Sequence, residues 1–259
     1  MSKITKAVIP IAGYGSRMFP ETLFINKAFL PIGNKPVILF LLEEIIDAGI
    51  TDVYIIIGPN QASIIDLLKP TSEDLRNKFK DNKEITNFND LIKKFKFHYT
   101  IQNNPNGLAN ALLLLQNEIR EPFALLLGDN IILPKEKGIP FLVNEYQKYN
   151  CNIIGVEKIK EEETKKYGVI IANNYQNPIE VIDFIEKPKN YTSSFVSVGR
   201  YVLNNSIFTY LQNDYDQTKE LLLPRYIIKE KTLAYYLDAK WLDVGTKENF
   251  INANIKVQY

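Results

Sequence analysis

Residues 6–11 (KAVIPI), 35–49 (KPVILFLLEEIIDAG) and 53–58 (VYIIIG) read as strand, helix and strand. KAVIPI and VYIIIG are short apolar runs of the kind buried on both faces of a parallel sheet. Between them, VILFLLEEIID has helical length, and Gly49 supplies its stop. The alternation continues outward. QASIIDLLK (61–69) predicts a short helix and FKFHYTIQ (95–102) a strand. LANALLLLQNEI (108–119) predicts a helix, FALLLGD (123–129) a strand ending on Asp129, PFLVNEYQKYN (140–150) a helix and NIIGVEKI (152–159) a strand. Strands interleaved with helices predict an α/β fold, a Rossmann-like, mainly parallel sheet sandwiched by helices, with ligands beyond the carboxyl ends of the strands. After Glu161 the pattern changes. YGVIIANN (167–174), PIEVIDFIEKP (178–188) and FVSVGRYVL (195–203) predict a small antiparallel part. IFTYLQN (207–213) and LLLPRYIIKE (221–230) predict helices, and TLAYYLDAKWLDVGT (232–246) a strand running into a turn. The lysine-rich segment 69–96 is expected to be a solvated helical excursion.

The loop after the first strand, AGYGSRMFPETLFINK (12–27), carries the chemistry. Gly13 and Gly15 let the backbone approach a ligand, while Arg17 and Lys27 bring two fixed positive charges to it, a design suited to phosphate. The loop matches neither standard phosphate motif. Met18 stands where a dinucleotide fingerprint needs a third glycine, and Ser16-Arg17 replaces the Gly-Lys-Ser/Thr that closes a P-loop.

Composition narrows the class. The 259 residues suffice for one large domain, read here as a single unit, 1–259. A net charge of +1 gives no electrostatic case for a nucleic-acid or membrane partner. One cysteine, Cys151, excludes an internal disulfide, and the single histidine, His98, lies in an alternating strand pattern that makes it structural. The run after MSKITK is too short for a signal peptide, so the expectation is a cytoplasmic protein.

Set side by side, several motifs resemble those of the bacterial sugar-1-phosphate nucleotidyltransferases, in family order and over almost the whole chain. They are the glycine loop, Gln102 with Gly107-Leu108-Ala109, Leu127-Gly128-Asp129, Tyr167-Gly168-Val169, Glu186-Lys187-Pro188-Lys189, Val198-Gly199-Arg200-Tyr201 and Trp241-Leu242-Asp243-Val244-Gly245-Thr246. Glu186-Lys187-Pro188-Lys189 followed by the Val198 motif, and the insertion at 69–96, resemble the branch that joins UTP to glucose 1-phosphate. Asn130 after Asp129, and the Trp241 motif, lean toward the thymidylyltransferases.

The resemblance implies roles, with 1–160 mainly nucleotide-binding and 161–259 mainly sugar-phosphate-binding and carrying the second metal carboxylate. Ala12 and Gly13 would lie against base and sugar of the nucleotide, and Gly15 would admit the triphosphate. Arg17 and Lys27 would stabilise the transferring phosphate. Gln102 would pair with the pyrimidine edge, Gly107 leaving room for the base. Asp129 and Asp243 would hold Mg²⁺, with Asp129 also counted as catalytic. Gly168, Glu186, Lys187 and Val198 would form the sugar-phosphate pocket, with Glu220 beside it. A homodimer or tetramer is the implied assembly. The chain departs from the family where Leu23 replaces a lysine, where Asn26-Lys27-Ala28 replaces Pro-Lys-Glu, and at Glu220-Leu221-Leu222-Leu223-Pro224-Arg225. Two readings follow: an active uridylyltransferase, or a homologue that binds nucleotide or sugar phosphate without turnover.

Overall fold

The computed structural model describes residues 3–216 and 219–257. Its strands are β1 (Lys6–Pro10), β2 (Asp52–Ile57), β3 (Lys96–Ile101), β4 (Phe123–Leu126), β5 (Asn130–Leu133), β6 (Asn152–Lys158), β7 (Gly168–Ile171), β8 (Ile179–Glu180), β9 (Asp183–Glu186), β10 (Phe195–Leu203), β11 (Thr232–Tyr236) and β12 (Lys240–Asp243), besides a small hairpin at 31–36. The main sheet runs β8-β11-β6-β10-β4-β1-β2-β3. β1, β2, β3 and β4 are parallel to one another, β6 and β11 are parallel, and β10 joins the two blocks by pairing antiparallel with both β4 and β6. β7 and β9 form an antiparallel pair attached to β10 through Val196. The mainly parallel sheet with a small antiparallel part is the architecture read from the alternation of elements.

The period of two along each strand divides the core. Ala7 and Ile9 of β1, with Val53, Ile55 and Ile57 of β2, face helices Val37–Asp47 and Ile139–Tyr149. Val8, Tyr54 and Ile56 face the opposite layer, with helices Leu108–Leu113 and Ile207–Asn213. Helix Val37–Asp47 stops as expected at Gly49, whose φ is +73°.

Several elements differ from the sequence reading: the helices expected over 61–69 and 221–230 shrink to Ile64–Leu67 and Pro224–Ile227, and the strand expected over 232–246 is two, β11 and β12. The helix expected over 108–119 ends at Leu113, because Leu114, Leu115 and Gln116 donate to the carbonyls three residues back and the chain tightens into turns. FALLLGD ends as a strand at Leu126. Leu127–Asp129 turns instead, and β5 pairs antiparallel with β12 in a separate two-stranded sheet that sets Asp243 opposite Asn130. Helix Lys247–Lys256, capped by the Thr246 hydroxyl on the Asn249 amide at 3.2 Å, follows without a strong apolar stripe. The 69–96 excursion contains helices Glu73–Lys78 and Lys83–Ile92, N-capped by Ser72 and Asn82.

His98 is structural: its ring stacks on Tyr54 at 4.3 Å, and Nε2 lies 3.2 Å from Asp52. Cys151 is buried, and burial is the main cause pushing its thiol up. The native protein should therefore resist iodoacetamide and become alkylated only in denaturant. Rapid labelling of the native fold, followed by intact mass, would contradict this placement.

Candidate active site

The carboxyl ends of β1, β3 and β4 deliver Ala12 and Gly13, Gln102, and Asp129 to one edge of the sheet. There they line a cleft of about 390 Å³ with Lys27, Gly107 and Glu220. A second space of about 440 Å³ adjoins it and holds Arg17, Gly168, Glu186, Lys187, Ser197, Tyr201 and Asp243. Asp129, Leu108, Leu127 and Glu220 line both, so the two halves meet at Asp129.

The first half is shaped by its glycines. Gly107 has φ +112°, and a Cβ there would lie 2.7 Å from the Glu220 side chain. Gln102 is buried; its amide nitrogen donates to the Gly107 carbonyl at 3.2 Å and to Asn106 at 3.3 Å, which holds the side chain against the start of helix Leu108–Leu113. Gly15, with φ +64°, accepts from the Thr22 hydroxyl at 2.9 Å. It shapes the loop and does not line either half of the cleft. Leu23, in place of the expected lysine, is exposed and lies with Tyr14 and Phe24 along a separate apolar groove.

In the second half, Gly168 and Glu186 are cross-strand partners, and a Cβ on Gly168 would stand 3.2 Å from Glu186 Oε2. Lys187 has φ +47°, donates its amide to the Tyr167 carbonyl at 3.0 Å and pairs with Glu186 at 3.2 Å. Val198 is fully buried in the core and does not line the cleft; its neighbours Ser197 and Gly199 do, because successive residues of β10 face opposite sides.

At the junction, Lys27 forms an ion pair with Asp129 Oδ2, and the Asn130 amide donates to Asp129 Oδ1 at 2.9 Å. Burial is the largest influence on Asp129 and works to raise its pKa. The charge and hydrogen bond of Lys27, with Arg17 beyond, outweigh it and hold the carboxyl below its ordinary value. Asp243 accepts from Tyr167 and Asn249 on Oδ2, both at 2.9 Å, and from the Gly245 amide on Oδ1 at 2.8 Å. Burial first, then Asp243, keeps the Tyr167 phenol well above its usual value, so it remains a donor. A Cβ on Gly245 would lie 3.0 Å from Asp129 Oδ2, 3.0 Å from Asp243 Oδ1 and 3.2 Å from an Arg17 nitrogen. The missing side chain leaves a cradle between two carboxylates and a guanidinium. Among the described residues no three His, Cys, Asp or Glu side chains gather. Two carboxylates suit a hard cation that takes its other ligands from phosphate and water.

Sequence reasoning overlooked the groups supporting these carboxylates: Asn130, Tyr167, Trp241 and Asn249. Three of them were already in view, in or beside the motifs; what was missing was the β5–β12 pairing that brings them together.

Comparison with known proteins shows the family. The family model described as nucleotidyl transferase matches residues 6–259. The chain is 36% identical to the UTP–glucose-1-phosphate uridylyltransferase of Bacillus subtilis, covering 99% of this chain and 91% of the relative. It is 35% identical to the enzyme of the same name in Mycoplasma genitalium, covering 98% and 91%. A solved UDP-glucose pyrophosphorylase complexed with UDP-glucose superimposes with a TM-score of 0.86 at 31% identity, over 98% of both chains. With the fold, the two-part cleft and this full-length similarity in agreement, the chain belongs to the nucleotidyl transferase family.

Proposed function

We propose that this protein transfers a uridylyl group from UTP to glucose 1-phosphate, forming UDP-glucose and releasing pyrophosphate. The observation that carries the reading is the cleft in two halves that meet at Asp129, in a chain similar along its length to uridylyltransferases. The second pKa of a phosphate monoester is about 6, so the attacking oxygen is already ionised near neutrality. That oxygen bonds to the α-phosphorus of UTP as the bond to the bridging oxygen breaks, and the electron pair leaves with pyrophosphate. No general base is needed, in keeping with His98 and Cys151 both lying in structural positions.

What the chain supplies is alignment and charge. Arg17 and Lys27 offset the negative charge on the transferring group. Ala12, Gly13, Gln102 and Gly107 hold base and ribose, with Gly15 shaping the loop beside the triphosphate. Gly168 and Glu186 receive sugar hydroxyls, with Val198 behind them as core and Glu220 at the border of the halves. Lys187 pairs with the sugar phosphate. Asp129 and Asp243 would hold Mg²⁺, which when bound supplies Lewis-acid stabilisation of phosphate oxygens. We extend the reading to a homo-oligomer acting in the cytoplasm. No helix among the described residues is long and apolar enough to cross a membrane.

Pyrophosphate release, measured for UTP and dTTP against several sugar 1-phosphates, tests the proposal. The expected maximum is UTP with glucose 1-phosphate. A maximum with dTTP would assign the thymidylyl reaction instead, and no release with any pair would leave a binding protein. Lys187→Ala should raise the KM for glucose 1-phosphate roughly 10-fold, the scale of one lost charge-assisted hydrogen bond, and leave the KM for UTP unchanged. A rise in the UTP value alone would move Lys187 out of the sugar-phosphate pocket.

A further inference from the structure

Trp241 and Tyr167 line the second half of the cleft beside the two carboxylates, Tyr167 bonding Asp243 directly and Trp241 reaching Asp129 only through Asn130. The Trp241 indole Nε1 donates to Asn130 Oδ1 at 2.6 Å, and Asn130 Nδ2 donates in turn to Asp129 Oδ1 at 2.9 Å. On the other side the Tyr167 hydroxyl donates to Asp243 Oδ2 at 2.9 Å. The two rings pack edge to face, with centroids 4.9 Å apart and planes at 66°. Asn130 is buried, and its backbone carbonyl is held by Arg200 at 2.8 Å.

The chemistry of these groups sets a direction. An indole N–H can only donate, whereas a primary amide can turn either its oxygen or its nitrogen toward a neighbour. Trp241 therefore compels Asn130 to turn its oxygen to the ring, which leaves the nitrogen facing Asp129. The indole and the carboxylate select the same amide orientation, and without that N–H only Asp129 itself would hold the Asn130 amide in place. The Tyr167 hydroxyl fixes one Asp243 oxygen in the same way, with Asn249 as a second donor to that oxygen. The other, Oδ1, then stays beside the Gly245 cradle, as does Asp129 Oδ2.

We propose that Trp241 and Tyr167 are positioning residues that set the spacing and orientation of the Asp129 and Asp243 carboxylates before a divalent cation arrives, Trp241 acting through the amide of Asn130. The proposal rests on the reading of those two carboxylates as the metal ligands. It also ties the carboxylates to the second half of the cleft, since Gly168 follows Tyr167 directly and the Lys187 amide is bound to the Tyr167 carbonyl.

Trp241→Phe keeps one aromatic ring but loses the indole donor and part of the ring packing, which the melting temperature reports; Tyr167→Phe loses only the hydroxyl. Mn²⁺ is the probe, its binding followed by the electron paramagnetic resonance signal of the free ion, with and without UTP, alongside melting temperature. Groups that orient metal ligands typically change affinity by about 10–100-fold when removed, so each variant should bind Mn²⁺ at least about 10-fold more weakly while melting close to the wild type. A restored rate at saturating Mn²⁺, with an unchanged KM for UTP, is the expected kinetic counterpart. Wild-type Mn²⁺ affinity in both variants overturns the proposal, as does a loss of affinity no greater than the loss of melting temperature explains. If the wild type itself binds no Mn²⁺ with UTP present, the metal reading fails first and the positioning role falls with it.

Discussion

Asp129→Asn is expected to lower the rate of pyrophosphate release by about 10³-fold, with the fold preserved. The scale is that of removing one charged group aimed at a centre where charge is redistributed in the transition state. The carboxylate has three functions in one place. It offsets Lys27, it receives the Asn130 amide, and it presents an oxygen to the Gly245 cradle opposite Asp243. Asparagine nearly keeps the shape but leaves Lys27 without its charge partner, so the melting temperature should fall modestly while turnover collapses. Steady-state assays at rising Mg²⁺ with UTP and glucose 1-phosphate supply the check. A variant within a few-fold of the wild type would remove Asp129 from the centre of the reaction.

Arg200→Met is expected to be the most destabilising single change in the core. Arg200 is fully buried and makes a two-pronged contact with Glu44, at 2.9 Å from Nε to Oε1 and 2.9 Å from Nη2 to Oε2, besides its bond to the Asn130 carbonyl. Glu44 in turn accepts from the Ile139 amide at 2.7 Å, capping the start of helix Ile139–Tyr149. Methionine fills the volume but leaves Glu44 as a lone buried charge, which costs about 3–5 kcal/mol. Urea unfolding should show this loss, and a Glu44→Gln/Arg200→Met double variant should recover part of it because the unpaired charge is gone. A loss under about 1 kcal/mol, the range of an exposed pair, would show that water reaches Glu44.

The strand–helix alternation of the first 159 residues was visible because buried parallel strands and amphipathic helices differ in period and length. The glycine loop, Asp129, Lys187 and Asp243 were visible as members of an ordered set of motifs. Other features depend on partners far apart in the chain. β5 is only four residues long, and what makes it a strand is β12, which begins more than a hundred residues later. The short helix after Gly107 shows the opposite failure: its apolar pattern continues to Ile119, but local hydrogen bonding shortens it. Val198 was placed in the pocket by its motif, yet strand alternation turns it into the core and gives the cleft Ser197 and Gly199. Asn130, Trp241 and Tyr167 each look ordinary in sequence, and their importance is in the contacts among them.

β10 has a consequence for the order in which the protein can become complete. It alone fills the gap between β4 and β6, and it also carries the β7–β9 pair on which Gly168 and Glu186 lie. A chain that has emerged only as far as Phe195 therefore holds the block β4-β1-β2-β3 with an open edge at β4, while β6 still waits for both of its partners, β10 and β11. Gln102 and Gly107 border that block, and the β7–β9 pair with Gly168 and Glu186 has no support. Joining them requires pairing across long loops, the slow kind of folding step. Nascent chains arrested before residue 195 should thus need protection from edge-to-edge association, and the two halves of the cleft come into register only when this late strand slots between its neighbours.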